Sequence, residues 1–212
     1  MRCKWVYQAK KVENGQVSRY KAWLVEKGFQ KVHGVDYDET FAPVEKMDSI
    51  RLALSIAAAR GLEVHHMDVN NAFLHGDLKE EIYMEKPQGY MHNSSLVCKL
   101  KKSLYGLKQA PRAWYANMDS YLLSQNFVRC KSNSNVYFLN KIDSFFIIVL
   151  YVDDLLIIGS SASMITNIKT ALHKQFSMTD MGLLNLFLRL EINESDSRIT
   201  ISQPKYVRDI LA

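Results

Sequence analysis

Residues 144–159 read SFFIIVLYVDDLLIIG, two apolar runs separated by the pair Asp153 and Asp154. Both runs are of strand length and rich in branched or aromatic side chains. The pattern predicts strands at 144–151 and 155–158, with the acidic pair at the tip of the hairpin that joins them. Aspartate is depleted in strands, and adjacent carboxylates repel each other unless water or a cation neutralises them. Two readings of the pair stand side by side. One is a polar hairpin turn. The other is a divalent-metal site, because hard cations such as Mg²⁺ take carboxylate oxygens and complete their shell with water and substrate phosphates.

The metal reading calls for a further carboxylate. Asp68, in HHMDVNNAFL at 65–74, is the candidate, since it also ends an apolar strand and is followed by small and aromatic residues. A strand-end cap is the alternative for Asp68. His65 and His66 precede it, but adjacent residues on a strand point to opposite faces, which disfavours both histidines on one zinc ion. No GxxxxGK[ST], GxGxxG or GxSxG motif occurs, so a nucleotide switch, a dinucleotide enzyme and a serine hydrolase elbow are disfavoured.

The remaining elements alternate without a steady βαβ rhythm, which predicts an α+β fold. A hairpin is expected over 4–11 and 17–27 around Asn14-Gly15. A helix at 49–60 is capped by Asp48 or Ser49 and closed by Gly61. Short strands follow at 63–69 and 82–84, the second before a Pro87–Gly89 turn. A helix opens at Pro111 and runs to about 124, and another strand lies at 136–139. Ile165, Ile168, Leu172 and Phe176 mark an amphipathic helix. Strands at 185–192 and 199–202 flank a Glu194–Ser197 turn, and Pro204 opens a last helix.

The chain has 212 residues, long enough for one large or two small domains, and its 48% hydrophobic content with only 4 Pro and 9 Gly excludes a disordered or linker-rich chain. There are 27 Lys and Arg against 22 Asp and Glu, a net charge of +5. The excess is concentrated in residues 1–31 and 97–112, whereas 32–96 carry eleven acids against five bases. Such basic blocks suit phosphate contacts or, equally, a solvated strand face. The longest apolar run, Phe145 to Val152, falls far short of the ~20 residues of a membrane span. The charged opening MRCKWVYQAK is unlike a secretory signal, and three cysteines without a CxxC pair speak for reduced thiols. An intracellular protein is expected, with no membrane partner.

Three stretches carry a family resemblance: RYKAWLVEKGF through EKPQGY at 19–90, VCKLKKSLYGLKQAPRAWY at 97–115 and LYVDDLLIIG at 150–159. From about Cys3 to the C-terminus the chain resembles the reverse transcriptase domain of copia-type LTR retrotransposons. The resemblance implies a right-hand polymerase fold, with residues 1–212 as one reverse transcriptase domain of fingers and palm, an antiparallel palm sheet with packed helices, and a missing or truncated thumb. Asp68, Asp153 and Asp154 match the family's catalytic aspartates and are implied to bind two Mg²⁺ ions, with Mn²⁺ as an alternative. The implied partners are an RNA template, a DNA primer and dNTPs. Compartment, whether cytoplasmic particle or nucleus, and oligomeric state are left open.

Further roles follow from the same resemblance. Phe73 matches the aromatic residue beneath the incoming sugar, and the alternative is a core phenylalanine. In GLKQAPRAWY, Gln109 is implied to contact the nucleotide, and Lys108 and Arg112 to meet phosphate, while Trp114 packs in the palm core. Two positions depart from the family. KAWLVEKGF at 21–29 has Trp23 where members have arginine, leaving Lys21 and Lys27 for the triphosphate, and FLRLEI at 187–192 has Arg189 where glycine is common. If that glycine requires positive φ, Arg189 is strained or displaces a turn; alternatively it touches backbone phosphate. The chain also begins in a normally internal stretch and ends at KYVRDILA, where the family continues into thumb and RNase H. This favours a fragment of a longer polyprotein and, as an alternative function, a weak or inactive nucleic-acid-binding remnant.

Overall fold

The computed structural model describes residues 1–12, 15–28, 31–34, 36–90, 96–141, 144–195 and 198–211. Asn14 of the first predicted turn and residues 196–197 of the last lie outside them. In chain order the elements are β1 (Cys3–Lys11), β2 (Val17–Glu26), α1 (Met47–Arg60), β3 (Glu63–Val69), a 3₁₀ turn (Ala72–His75), β4 (Tyr83–Met84) and β5 (Cys98–Lys99). Then come α2 (Ala110–Ser124), β6 (Val128–Arg129), β7 (Val136–Lys141), β8 (Ser144–Tyr151), β9 (Asp154–Gly159) and α3 (Ala162–Gln175). The last are β10 (Met178–Leu183), β11 (Leu186–Phe187), β12 (Leu190–Ser195), β13 (Arg198–Ser202) and α4 (Pro204–Leu211). Helices and antiparallel sheets are mixed, as an α+β fold requires. The chain divides into two compact units, Met1–Ala42 with Ala72–Ser120 and Pro43–Asn71 with Tyr121–Ala212.

In the first unit β1 and β2 form an antiparallel ribbon running from Cys3 opposite Glu26 to Lys11 opposite Val17. Alternation gives it two unlike faces, one with Trp5, Tyr7 and Tyr20, the other with Lys4, Lys10, Arg19 and Lys21. Trp5 Nε1 donates to the carbonyl of Gln88 at 3.1 Å, tying the ribbon to the Pro87–Gly89 turn. At the ribbon's base the Glu26 amide donates to the Tyr105 carbonyl. The approach is so close that a Cβ on Gly106, whose φ is +93°, would lie 2.0 Å from the Glu26 carbonyl oxygen. Ile82, Leu107 and Ala110 form a small core with Phe73, Leu78 and Leu104 against it.

The second unit is built on a six-stranded antiparallel sheet in the order β10-β3-β9-β8-β7-β6. The apolar runs of β8 and β9 are buried on both faces, and Leu155, Leu156, Ile157 and Ile158 are each 0% exposed. Ile50, Ala53, Leu54 and Ala57 of α1 meet one of those faces together with Val64, Val149, Leu156, Ile158 and Phe187. Helix α1 starts two residues before the predicted position, at Met47, and its N-cap Lys46 makes no side-chain cap. Glu45 holds that end instead: Asn133 Nδ2 donates to Glu45 Oε1 at 2.7 Å and to Ser49 Oγ at 2.6 Å. Gly61, at φ 59°, closes the helix as expected. Helix α3 begins at the Ser161 cap and buries Ile165 and Leu172.

Two departures from the sequence pattern matter. The strand expected at 185–192 is two strands, because Leu188 (φ 50°) and Arg189 (φ 66°) form a two-residue turn between Phe187 and Leu190. Arg189 thus occupies the left-handed region that favours glycine. Strand β10 was not expected at all, and neither were the two-residue strands β5 and β6. Among the described residues no helix is long and apolar enough to cross a membrane.

Candidate active site

The β8–β9 hairpin turns on Val152 and Asp153, with Tyr151 opposite Asp154. Val152 has φ 52°, a costly conformation for a β-branched residue. On the other side of β9, β3 runs antiparallel with Asp68 directly opposite Asp154. Residues paired in this way project from the same face of a sheet. The Val69 amide donates to the Asp153 carbonyl at 2.7 Å, fastening the turn to the end of β3. Asp68 and the adjacent pair Asp153 and Asp154, distant in sequence, therefore gather at one end of one sheet.

Their charges act on one another. Asp153 is held above the ordinary carboxylate range, first by desolvation at the crowded sheet end and then by the charges of Asp154 and Asp68. Asp154 has a partner in His66, whose Nε2 lies 2.7 Å from Asp154 Oδ1. His66 and His65 engage different groups, as their alternation on β3 requires. His65 Nε2 meets Glu63 Oε2 at 3.0 Å, and its Nδ1 receives Lys169 Nζ at 2.8 Å. Lys169 also binds Asp180, whose carboxyl is held low by that lysine and by the Gly182 amide against the opposing effect of desolvation.

Among the described residues no group of three or more His, Cys, Asp or Glu side chains is already arranged to hold a metal ion. Carboxylate oxygens are hard donors, and neighbouring carboxylates repel one another unless water or a cation neutralises them. That donor chemistry suits Mg²⁺ or Mn²⁺, which retain open positions for water and phosphate, and does not suit a soft thiophilic ion.

Phe73, Gln109, Lys108, Arg112 and Lys21 belong to the first unit. Phe73 lies on the 3₁₀ turn, half-buried against Ile82 and Leu107, with its ring 5.0 Å from that of Tyr105. Gln109 is 3% exposed; its Nε2 reaches the Asp36 carbonyl at 3.5 Å, while its Oε1 has no hydrogen-bond partner among the described residues. Lys108 is exposed and, with Lys4, Lys27 and the buried Glu26, lines a pocket of about 430 Å³. Arg112 pairs with Glu39. Lys21 lies 5.6 Å from the centre of the Trp23 ring. Trp114 is buried within the first unit.

The sequence pattern did not reveal the His66 contact with Asp154 or the support around Asp68. Strand β10 places Thr179 opposite Asp68, and Asn70 Nδ2 donates to Thr179 Oγ1 at 3.2 Å. Strand alternation alone puts His66 and Asp68 on one face, but only the β3–β9 register reveals the histidine's partner.

A family model for reverse transcriptase (RNA-dependent DNA polymerase) matches residues 1–212. The chain is 47% identical, over all of its length, to the retrovirus-related Pol polyprotein from transposon TNT 1-94 of Nicotiana tabacum, and 41% identical over 99% of its length to that from transposon RE1 of Arabidopsis thaliana. It is 30% identical over 85% of its length to the transposon Ty1-H Gag-Pol polyprotein of Saccharomyces cerevisiae. The chain spans about 16%, 14% and 9% of these relatives, respectively.

Proposed function

The chain belongs to the reverse transcriptase family of copia-type transposon Pol polyproteins, and from that membership we propose that it forms the fingers and palm of an RNA-directed DNA polymerase. The six-stranded sheet is the palm and the β1–β2 ribbon belongs to the fingers. The observation that carries the reading is the β3–β9 register, which sets Asp68 opposite Asp154 with Asp153 on the adjoining turn.

Asp68, Asp153 and Asp154 would hold two Mg²⁺ ions, which would supply Lewis-acid stabilisation for an in-line phosphoryl displacement. The reacting nucleophile is the primer 3′-oxygen, so the chain needs no nucleophile of its own. Its residues bind and orient. Phe73 selects a deoxyribose by crowding a 2′-hydroxyl. Gln109 offers a buried, unpartnered acceptor to the nucleotide. Lys21, Lys108 and Arg112 meet phosphate. Trp23 offers no guanidinium at the position where the resemblance implies an arginine, which favours the second reading, a chain that binds nucleic acid and incorporates poorly.

Primer extension of oligo(dT) on poly(rA) tests both. The polymerase reading expects Mg²⁺-dependent incorporation that Asp153→Asn abolishes, and equal extension by that variant rejects the metal assignment. The binding-only reading expects salt-sensitive binding without incorporation, with Trp23→Arg restoring extension.

A further inference from the structure

We propose that His66 is a positioning residue, holding Asp154 so that its second oxygen is presented to the divalent ion. The inference rests on the reading of Asp154 as a metal ligand.

An ionised carboxylate only accepts hydrogen bonds, so in the 2.7 Å contact with Asp154 Oδ1 the proton lies on His66 Nε2. The imidazole has little freedom. It is 9% exposed, and its edge-to-face contact with Phe187 sets the ring centres 5.4 Å apart at 82°. Phe187 is 1% exposed and also carries the Tyr151 ring, 6.4 Å away, from the strand that leads into the acidic turn. The histidine backbone is equally fixed, since β3 lies between β9 and β10. A rigid donor thus holds one oxygen of one aspartate, and Oδ2 is the oxygen His66 does not engage.

Without the donor, Asp154 is free to rotate away from Asp68 and Asp153, whose charges repel it. The ligand set then has to be reassembled each time an ion binds. Hydrogen-bond partners of metal ligands change metal affinity by about 10- to 100-fold when removed.

Mn²⁺ binding, followed by the loss of the free-ion electron paramagnetic resonance signal, tests this without turnover. His66→Leu fills the space against Phe187 but donates nothing, whereas His66→Gln keeps an N–H donor. The proposal expects His66→Leu to weaken Mn²⁺ binding about tenfold or more, and His66→Gln to restore most of the loss. It also expects the Mg²⁺ concentration for half-maximal extension to rise in His66→Leu while the KM for dTTP at saturating Mg²⁺ holds. The proposal is overturned if His66→Leu binds Mn²⁺ like the parent while Asp153→Asn does not, which leaves the aspartate site standing. It is also overturned if His66→Gln binds as weakly as His66→Leu. A parent chain that takes up no Mn²⁺ removes the aspartate site itself, and this inference with it.

Discussion

Two hairpins of the second unit turn on two residues each, and both force side chains other than glycine to positive φ. In the β8–β9 hairpin the strained residue is Val152, and in the β11–β12 hairpin they are Leu188 and Arg189. The first turn is held by six cross-strand pairs, from Phe146 opposite Gly159 to Tyr151 opposite Asp154, among residues with almost no exposure. The second rests on two pairs, Leu186 with Glu191 and Phe187 with Leu190. Strain of about 1–3 kcal/mol per residue persists where the surroundings over-determine it, and it concentrates at functional sites. The acidic turn meets the first condition, and on the proposed reading of the aspartates it meets the second as well. At the basic turn Arg189 is exposed, while Leu188 is half-buried against the core.

The largest effect expected is chemical. Asp153→Asn removes charge from the first turn and should cut Mg²⁺-dependent primer extension by roughly 10²–10³-fold, the scale on which single electrostatic groups act in transition states. Substitution at Arg189 should leave extension within a small factor, and a comparable collapse there would break the comparison. Next comes the support itself: Leu156→Ala, at a fully buried position of β9, should destabilise the chain by about 2–5 kcal/mol in urea unfolding.

Glycine then separates the two turns directly. Arg189→Gly should raise stability by about 1 kcal/mol by relieving the left-handed backbone, with Mn²⁺ binding unchanged. Val152→Gly relieves similar strain but loosens the turn that aims Asp153, so extension should fall roughly tenfold even though the fold survives. If both glycine variants keep full activity, the strain at Val152 has no role in positioning.

The smallest effect is a pH dependence. Because Asp153 is held above its ordinary value of 3.8, the folded state binds its proton more tightly than the unfolded chain does. Its contribution to stability is fully present below that ordinary value and is lost as pH rises through the higher folded one. In metal-free buffer, Asp153→Asn should therefore be more stable than the parent at neutral pH and lose that advantage in acid. Thermal unfolding across pH measures the crossing, and a parent whose advantage grows with pH contradicts the sign.

Much of this architecture was legible in the residues, for identifiable reasons. The β8–β9 hairpin announces itself because strongly apolar runs flank two carboxylates, and α1 because its small apolar residues recur at helical spacing before Gly61. Strand β10, MTDMGL, has no apolar alternation and contains a bulge between Asp180 and Gly182, so its existence follows from pairing with β3 rather than from its own pattern. The turn at Leu188 and Arg189 is hidden inside an apolar stretch that reads as one strand; only the departure from glycine hinted at it. Asp68 was singled out by its strand-end position and by resemblance, and the β3–β9 register sets it opposite Asp154. The His66 contact with Asp154 was not, because a hydrogen bond spanning 88 residues depends on register.

Iron-mediated cleavage tests the convergence of the aspartates most directly. Fe²⁺ loaded in place of Mg²⁺, with ascorbate and peroxide, generates hydroxyl radicals that cut the backbone nearest the bound ion. Cuts at the end of β3 around Asp68 and at the β8–β9 turn around Asp153, both suppressed by added Mg²⁺, are the predicted result. Cleavage at one of these segments without the other, or cuts that Mg²⁺ does not suppress, would contradict a shared site.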